Sequence, residues 1–140
     1  MDNMSALRSS APHPAAAELR CWKLGTFGEL RTLRAALREA IQTHTDEVDD
    51  LFDKMAVVAT ELATNALRHG LPPTEVRLLR EDDHLILDVA DHDLGTLPEL
   101  DRGRPLGAGG LGLQLTKTFA IDVGWYRTGS TKHVWASFPG

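Results

Sequence analysis

Apolar residues recur along this chain with two periods. Leu30, Leu33, Leu37 and Ile41 return at helical spacing and predict a helix from Gly28 to Thr43. A longer stripe follows: Val48, Leu51, Phe52, Met55, Val58, Ala59, Leu62, Ala66 and Leu67. It predicts a second helix, one face apolar, with Thr45 or Asp46 as its cap. Asp46, Glu47, Asp49 and Asp50 crowd its first turns, where the dipole favours acids, and Gly70 with Pro72-Pro73 ends it.

Period two then takes over. Glu75 to Arg80 and His84 to Asp91 read as strands joined by a tight turn at Glu81-Asp82-Asp83. Leu85, Leu87 and Val89 share one face of the second strand, and Asp91 continues their row. If that is the core face, Asp91 lies at its end beneath the helices, an unusual place for a carboxylate. His92 to Gly109 has no apolar period and reads as a long functional or mobile loop. Gly110 to Ala120 reads as a helix, and Val123 to Arg127 with His133 to Phe138 as a closing hairpin. Glu18 to Leu24 reads as a first strand whose facing its alternation does not settle. Helices without regular strand–helix–strand alternation imply an α+β fold. Its form is a two-layer α/β sandwich, a mainly antiparallel sheet with helices on one face.

Composition narrows the classes. The 140 residues suit one domain, taken as residues 18–140, behind an Ala/Ser/Pro-rich stretch, 1–17, expected to be a disordered tail. The net charge of −5 and the scattered basic residues give no footprint for nucleic acid. No apolar run is long enough to span a bilayer, and the N-terminus lacks the order of a signal peptide. A lone cysteine, Cys21, allows no internal disulfide. The expectation is a cytoplasmic protein with no direct nucleic-acid or membrane contact.

Three constellations carry candidate chemistry. Glu61, Asn65 and His69 stand four apart along one edge of the long helix. Asn65 lies in an otherwise apolar stretch, so its amide needs partners; its oxygen suits Mg²⁺, and the carboxylate of Glu61 one turn away suits a general base. Asp91, at a strand end before the flexible segment through Gly95, can accept a hydrogen bond from an exocyclic amine. Gly107-Ala-Gly109-Gly110-Leu111-Gly112-Leu113 leads into a helix, where glycines allow close approach to phosphate and free N–H groups face it. This segment lacks both the Gly-Lys-Ser/Thr ending of a Walker loop and the strand–helix–strand setting of a dinucleotide fingerprint. Singly, each also reads as structure: a solvated helix edge, a turn aspartate, a hinge.

In this order the three resemble the N, G1 and G2 boxes of the histidine-kinase-like (GHKL) ATPases, and most of all the anti-sigma-factor serine/threonine kinases. Glu61 to Gly70 is similar to the Glu-x-x-x-Asn-Ala-x-x-His-Gly of that branch, and Gly109 to Leu113 to its Gly-Gly-Leu-Gly-Leu. The resemblance implies the Bergerat fold, with ATP and Mg²⁺ as cofactors. It implies Glu61 as catalytic base and Asn65 as Mg²⁺ ligand. It implies Asp91 as reader of adenine, Gly95, Gly109, Gly110, Leu111 and Gly112 around the nucleotide, and His92 to Gly109 as an ATP lid. Thr131 would offer a nucleotide-facing hydroxyl. The partners implied are an anti-sigma-factor antagonist and a sigma factor, so that the kinase would control transcription; a homodimer is compatible with the resemblance. Two positions depart from the pattern: Asp93 stands where a glycine is usual, and Gly129-Ser130-Thr131-Lys132-His133 replaces a Gly-Thr signal. They keep open a second function, a non-catalytic partner-binding regulator with weak or no ATP binding.

Overall fold

A computed structural model of the chain describes residues 8–12, 16–44, 49–95 and 116–139. Its sheet has six strands: β1 (Arg8–Ser9), β2 (Ala17–Leu24), β3 (Thr74–Glu81), β4 (His84–Asp91), β5 (Asp122–Arg127) and β6 (Lys132–Pro139). They lie in the order β1-β5-β6-β4-β3-β2, antiparallel throughout except where β1 runs parallel to β5. Two helices, α1 (Leu30–His44) and α2 (Asp49–His69), cover one face. The α+β sandwich expected from periodicity is the fold observed.

α1 follows a short 3-10 turn, Phe27–Glu29. The Glu29 carboxylate accepts hydrogen bonds from the backbone N–H groups of Gly25 (2.8 Å) and Thr26 (3.0 Å), closing the helix entry. Leu33, Leu37, Ala40 and Ile41 of α1 and Met55, Val58, Ala59, Leu62 and Ala66 of α2 meet Val76, Leu78, Leu85, Leu87, Val89, Ala136 and Phe138 of the sheet in one core. Leu37 has no exposed surface; enclosing a side chain of that size contributes about 1.5–3 kcal/mol.

The alternation on β4 is as read: Leu85, Leu87, Val89 and then Asp91 face the helices and all are buried. The two-residue turn between β3 and β4 holds Asp82 at φ 54°, which aspartate tolerates better than most residues. The ambiguous facing of β2 has a cause. A register shift between Glu18 and Arg20 breaks the alternation, so that Leu19, Trp22 and Leu24 all pack on the core while Cys21 and Lys23 are exposed.

The stretch expected to be a tail contributes structure at Arg8–Ser9. Its continuation is pinned by two hydrogen bonds, Ser10 N–H to the Trp125 carbonyl (2.9 Å) and the Trp135 indole N–H to the Ser10 carbonyl (2.6 Å). Of the helix expected over Gly110 to Ala120, residues 116–119 are described and helical.

Candidate functional site

The helix face and the sheet face converge at one end of the sandwich. There α2 runs out over β4, and its last residues are fixed by the requirement for close packing. A Cβ added to Gly70 would sit 2.4 Å from Asp91 Cγ and 2.6 Å from Asp91 Oδ2, so only glycine lets the helix end approach this carboxylate. The Gly70 N–H donates to the Ala66 carbonyl (2.9 Å), and the His92 N–H to the Leu71 carbonyl (3.0 Å). These bonds tie the exit of α2 to the exit of β4.

Asp91 is the hub. Its Oδ1 accepts the backbone N–H of Asp93 at 2.7 Å, and the Asp93 carboxylate in turn accepts the Gly95 N–H at 2.9 Å. Asp93, the acid in a glycine's place, therefore serves a turn that also holds Gly95. The second oxygen of Asp91 lies 3.8 Å from Lys132 Nζ, both side chains under a tenth exposed. Lys132 comes from β6, directly across from Asp91 in the sheet register.

On α2, Glu61 and Asn65 are half-buried and one helical turn apart. Asn65 Oδ1 is buried and has no hydrogen-bond partner among the described residues. A carbonyl oxygen shut away from water without a donor or cation costs about 1–3 kcal/mol. A cation held over this part of the fold would satisfy that oxygen.

Thr131 is placed otherwise. Alternation along β6 puts it with His133, Trp135 and Ser137 on the face away from the helices. Its hydroxyl lies 2.6 Å from Thr128 Oγ1 and 2.7 Å from His133 Nε2, so the structure does not bring it to Asp91. Gly109, Gly110, Leu111 and Gly112, the phosphate-facing glycine segment, lie outside the described residues, as does most of the lid from His92 to Gly109.

Residues 26–138 match the family model for the histidine kinase-like ATPase domain. The chain belongs to that family. No curated protein matches it. A histidine kinase-like ATPase domain binds ATP, typically with Mg²⁺, and the match spans every element described above except β1 and β2.

In this ATPase domain, two residues beside Asp91 escaped the sequence reading: Lys132 and Thr74. Each had a signal. Lys132 stands at the end of the apolar row Val134, Ala136 and Phe138, where a charge needs a partner; Thr74 stands at the end of the row Val76 and Leu78.

On its outer face the domain carries a second polar cluster, centred on Asp88, which has no exposed surface. Asp88 Oδ2 accepts from the Tyr126 hydroxyl (2.6 Å) and Arg77 Nη2 (3.2 Å), and Asp88 Oδ1 pairs with His133 Nδ1 at 2.6 Å. A carboxylate only accepts, so the network assigns the proton to Nδ1 and leaves Nε2 to accept from the Thr131 hydroxyl. Tyr126 stacks on His133 with ring centroids 4.4 Å apart. Burial, then the neighbouring Asp88 charge, pushes the Tyr126 phenol above its ordinary pKa. No described helix is long and apolar enough to cross a membrane.

Proposed function

We propose that this domain is a serine/threonine protein kinase that phosphorylates an anti-sigma-factor antagonist and so controls a sigma factor. The observation that carries the reading is the buried, unpartnered Asn65 Oδ1 on the same helix edge as Glu61. An oxygen so placed suits a divalent cation, and the carboxylate one turn away suits a base.

When bound, Mg²⁺ would neutralise charge developing on the transferred phosphoryl group. Asn65 would hold the cation through Oδ1. Asp91 would accept the exocyclic amine of adenine, with Gly70 giving the base room above it. Glu61 would take the proton of the attacking serine or threonine hydroxyl. That oxygen bonds to the γ-phosphorus as ADP leaves. Phosphoryl transfer of this kind depends chiefly on positioning and charge neutralisation.

A second reading keeps the fold and the partner but not the chemistry. The pairing of Asp91 with Lys132 at 3.8 Å favours it, because the base-reading carboxylate already has a cation beside it.

Titration calorimetry with ATP, with and without Mg²⁺, separates the two. The kinase reading expects magnesium-dependent binding that Asn65→Ala removes and Glu61→Gln keeps, with Glu61→Gln losing transfer to the antagonist. No binding at millimolar ATP would sink it and leave the partner-binding regulator.

A further inference from the structure

On the outer face of the sheet a carboxylate, an imidazole and a hydroxyl stand in line. Asp88 Oδ1 lies 2.6 Å from His133 Nδ1, and His133 Nε2 lies 2.7 Å from Thr131 Oγ1. Strand pairing explains the line. β4 supplies Asp88, β6 supplies His133 one diagonal step across, and Thr131 precedes His133 by two residues on the same face. Asp88 takes the Nδ1 proton, so the Nε2 lone pair accepts the Thr131 hydroxyl proton. The Thr128 hydroxyl, 2.6 Å away, then donates to Thr131 Oγ1, while Thr128 Oγ1 accepts the backbone N–H groups of Ser130 and Thr131.

The imidazole is not free to turn. Tyr126 stacks on it with 10° between the ring planes, and Tyr126 and Arg77 both hold the other oxygen of Asp88. At its far end the line meets solvent. Asp88 and His133 are buried, Thr131 is half-buried, and Thr128, Gly129 and Ser130 of the adjoining turn are exposed. A surface hydroxyl bonded to an imidazole that a buried carboxylate orients is the arrangement that makes an alcohol nucleophilic. Acyl donors suit it better than phosphoryl donors. Attack on a carbonyl requires the hydroxyl to lose its proton as the new bond forms, whereas loose phosphoryl transfer asks less of a base.

We propose that Thr131 is a nucleophile and a site of covalent O-acylation, taking its acyl group from a small activated donor, a thioester or activated ester. Thr131 Oγ1 bonds to the carbonyl carbon as its proton passes to His133 Nε2. The bond from that carbon to the leaving sulfur or oxygen breaks, and the proton leaves with it as thiol or alcohol. Asp88 and Tyr126 act through His133 as positioning residues. The inference does not depend on the ATP-binding reading, because Thr131 faces away from the helices.

The test treats the full chain with p-nitrophenyl acetate and follows each acetylated position over time by peptide mass spectrometry. Thr128 and Ser130 are internal controls, hydroxyls of the same turn that are more exposed than Thr131. Thr131 should acetylate at least about a hundredfold faster than Ser130, the factor a positioned base supplies. Thr131→Ser should keep the reaction, and Thr131→Val should remove it without moving it to Ser130. His133→Gln should slow Thr131 to the rate of Ser130. Wild type unfolded in urea repeats that comparison with no substitution, and unfolding should erase the preference for Thr131. Acetylation of folded Thr131 no faster than of Ser130 would overturn the inference. A preference that survives urea or His133→Gln would overturn it too, by showing that the fold and the imidazole contribute nothing.

Discussion

Replacing Asp88 by asparagine should be among the most damaging conservative changes in this domain. The substitution keeps the shape and removes the charge. In the wild-type fold this fully buried carboxylate receives Tyr126, Arg77 and His133. Arg77 is the cation of the cluster, its side chain 28% exposed, with Glu18 at 3.3 Å as its other acid. Asparagine can accept on one oxygen only, and its NH₂ group must face one of the three donors. Three bonds to a carboxylate become at most two to a neutral amide oxygen, each weaker by about 1 kcal/mol, and the third group loses its acceptor at about 1–3 kcal/mol. The sum is roughly 3–5 kcal/mol, the range found when one partner of a buried pair is removed. Domains of this size are commonly stable by about 5–15 kcal/mol, so the variant should be near its limit. Urea unfolding followed by tryptophan fluorescence gives the number, because Trp125 and Trp135 flank the cluster on β5 and β6. A loss under about 1 kcal/mol with an unchanged m-value would show that the donors regain water on the outer face, and the reasoning would fail.

Gly70→Ala should force the end of α2 off Asp91, since the added Cβ would meet Asp91 at 2.4 Å and the Ala66 carbonyl at 2.7 Å; ATP affinity should fall at least about tenfold, and a wild-type titration would refute the close packing. Gly124→Ala would meet the Trp135 ring at 2.7 Å; a loss of about 1–3 kcal/mol in urea midpoint terms is expected, with Trp135 fluorescence shifted. Tyr126 gives an alkaline limb. Its folded-state pKa is raised, by burial first and by the Asp88 charge second, so its contribution is complete below the free phenol value of about 10 and is lost as pH climbs through and beyond it. The midpoint should drop between about pH 9 and 11.5 in wild type and drop less in Tyr126→Phe; equal slopes would count against the burial of the hydroxyl.

Much of the fold was legible because its elements are long and their periods clean. α2 and β4 announced themselves by eight and three apolar positions in register, and the row Leu85, Leu87 and Val89 put Asp91 beneath the helices once that face was taken as the core face. β2 resisted because a register shift interrupts its alternation, and no residue between Glu18 and Arg20 marks such a shift. Of the candidate site, what spacing made legible was that Glu61 and Asn65 share one edge of α2. It was illegible where it depends on pairing between strands distant in sequence. Thr74 and Lys132 become neighbours of Asp91 only through the registers of β3 and β6 with β4. Thr131 was misplaced for the same reason: facing on β6 follows from parity, and Thr131 shares parity with His133 rather than with Lys132.

The strand order has a consequence for how this domain can diversify. β5 lies beside β6 rather than beside β4, so the chain leaves the sheet at Asp91 and returns at Asp122 without closing a neighbouring pair. The intervening stretch is a detour that joins opposite ends of the sheet, since Asp91 pairs with Lys132 and Asp122 with Ser137 on β6. Closing such a detour costs only about 0.6 kcal/mol more for each doubling of its length. Insertions and deletions there can therefore accumulate, and with them new contacts near Asp91, while the last turn of α2, wedged on Asp91 by the missing side chain of Gly70, tolerates almost no change.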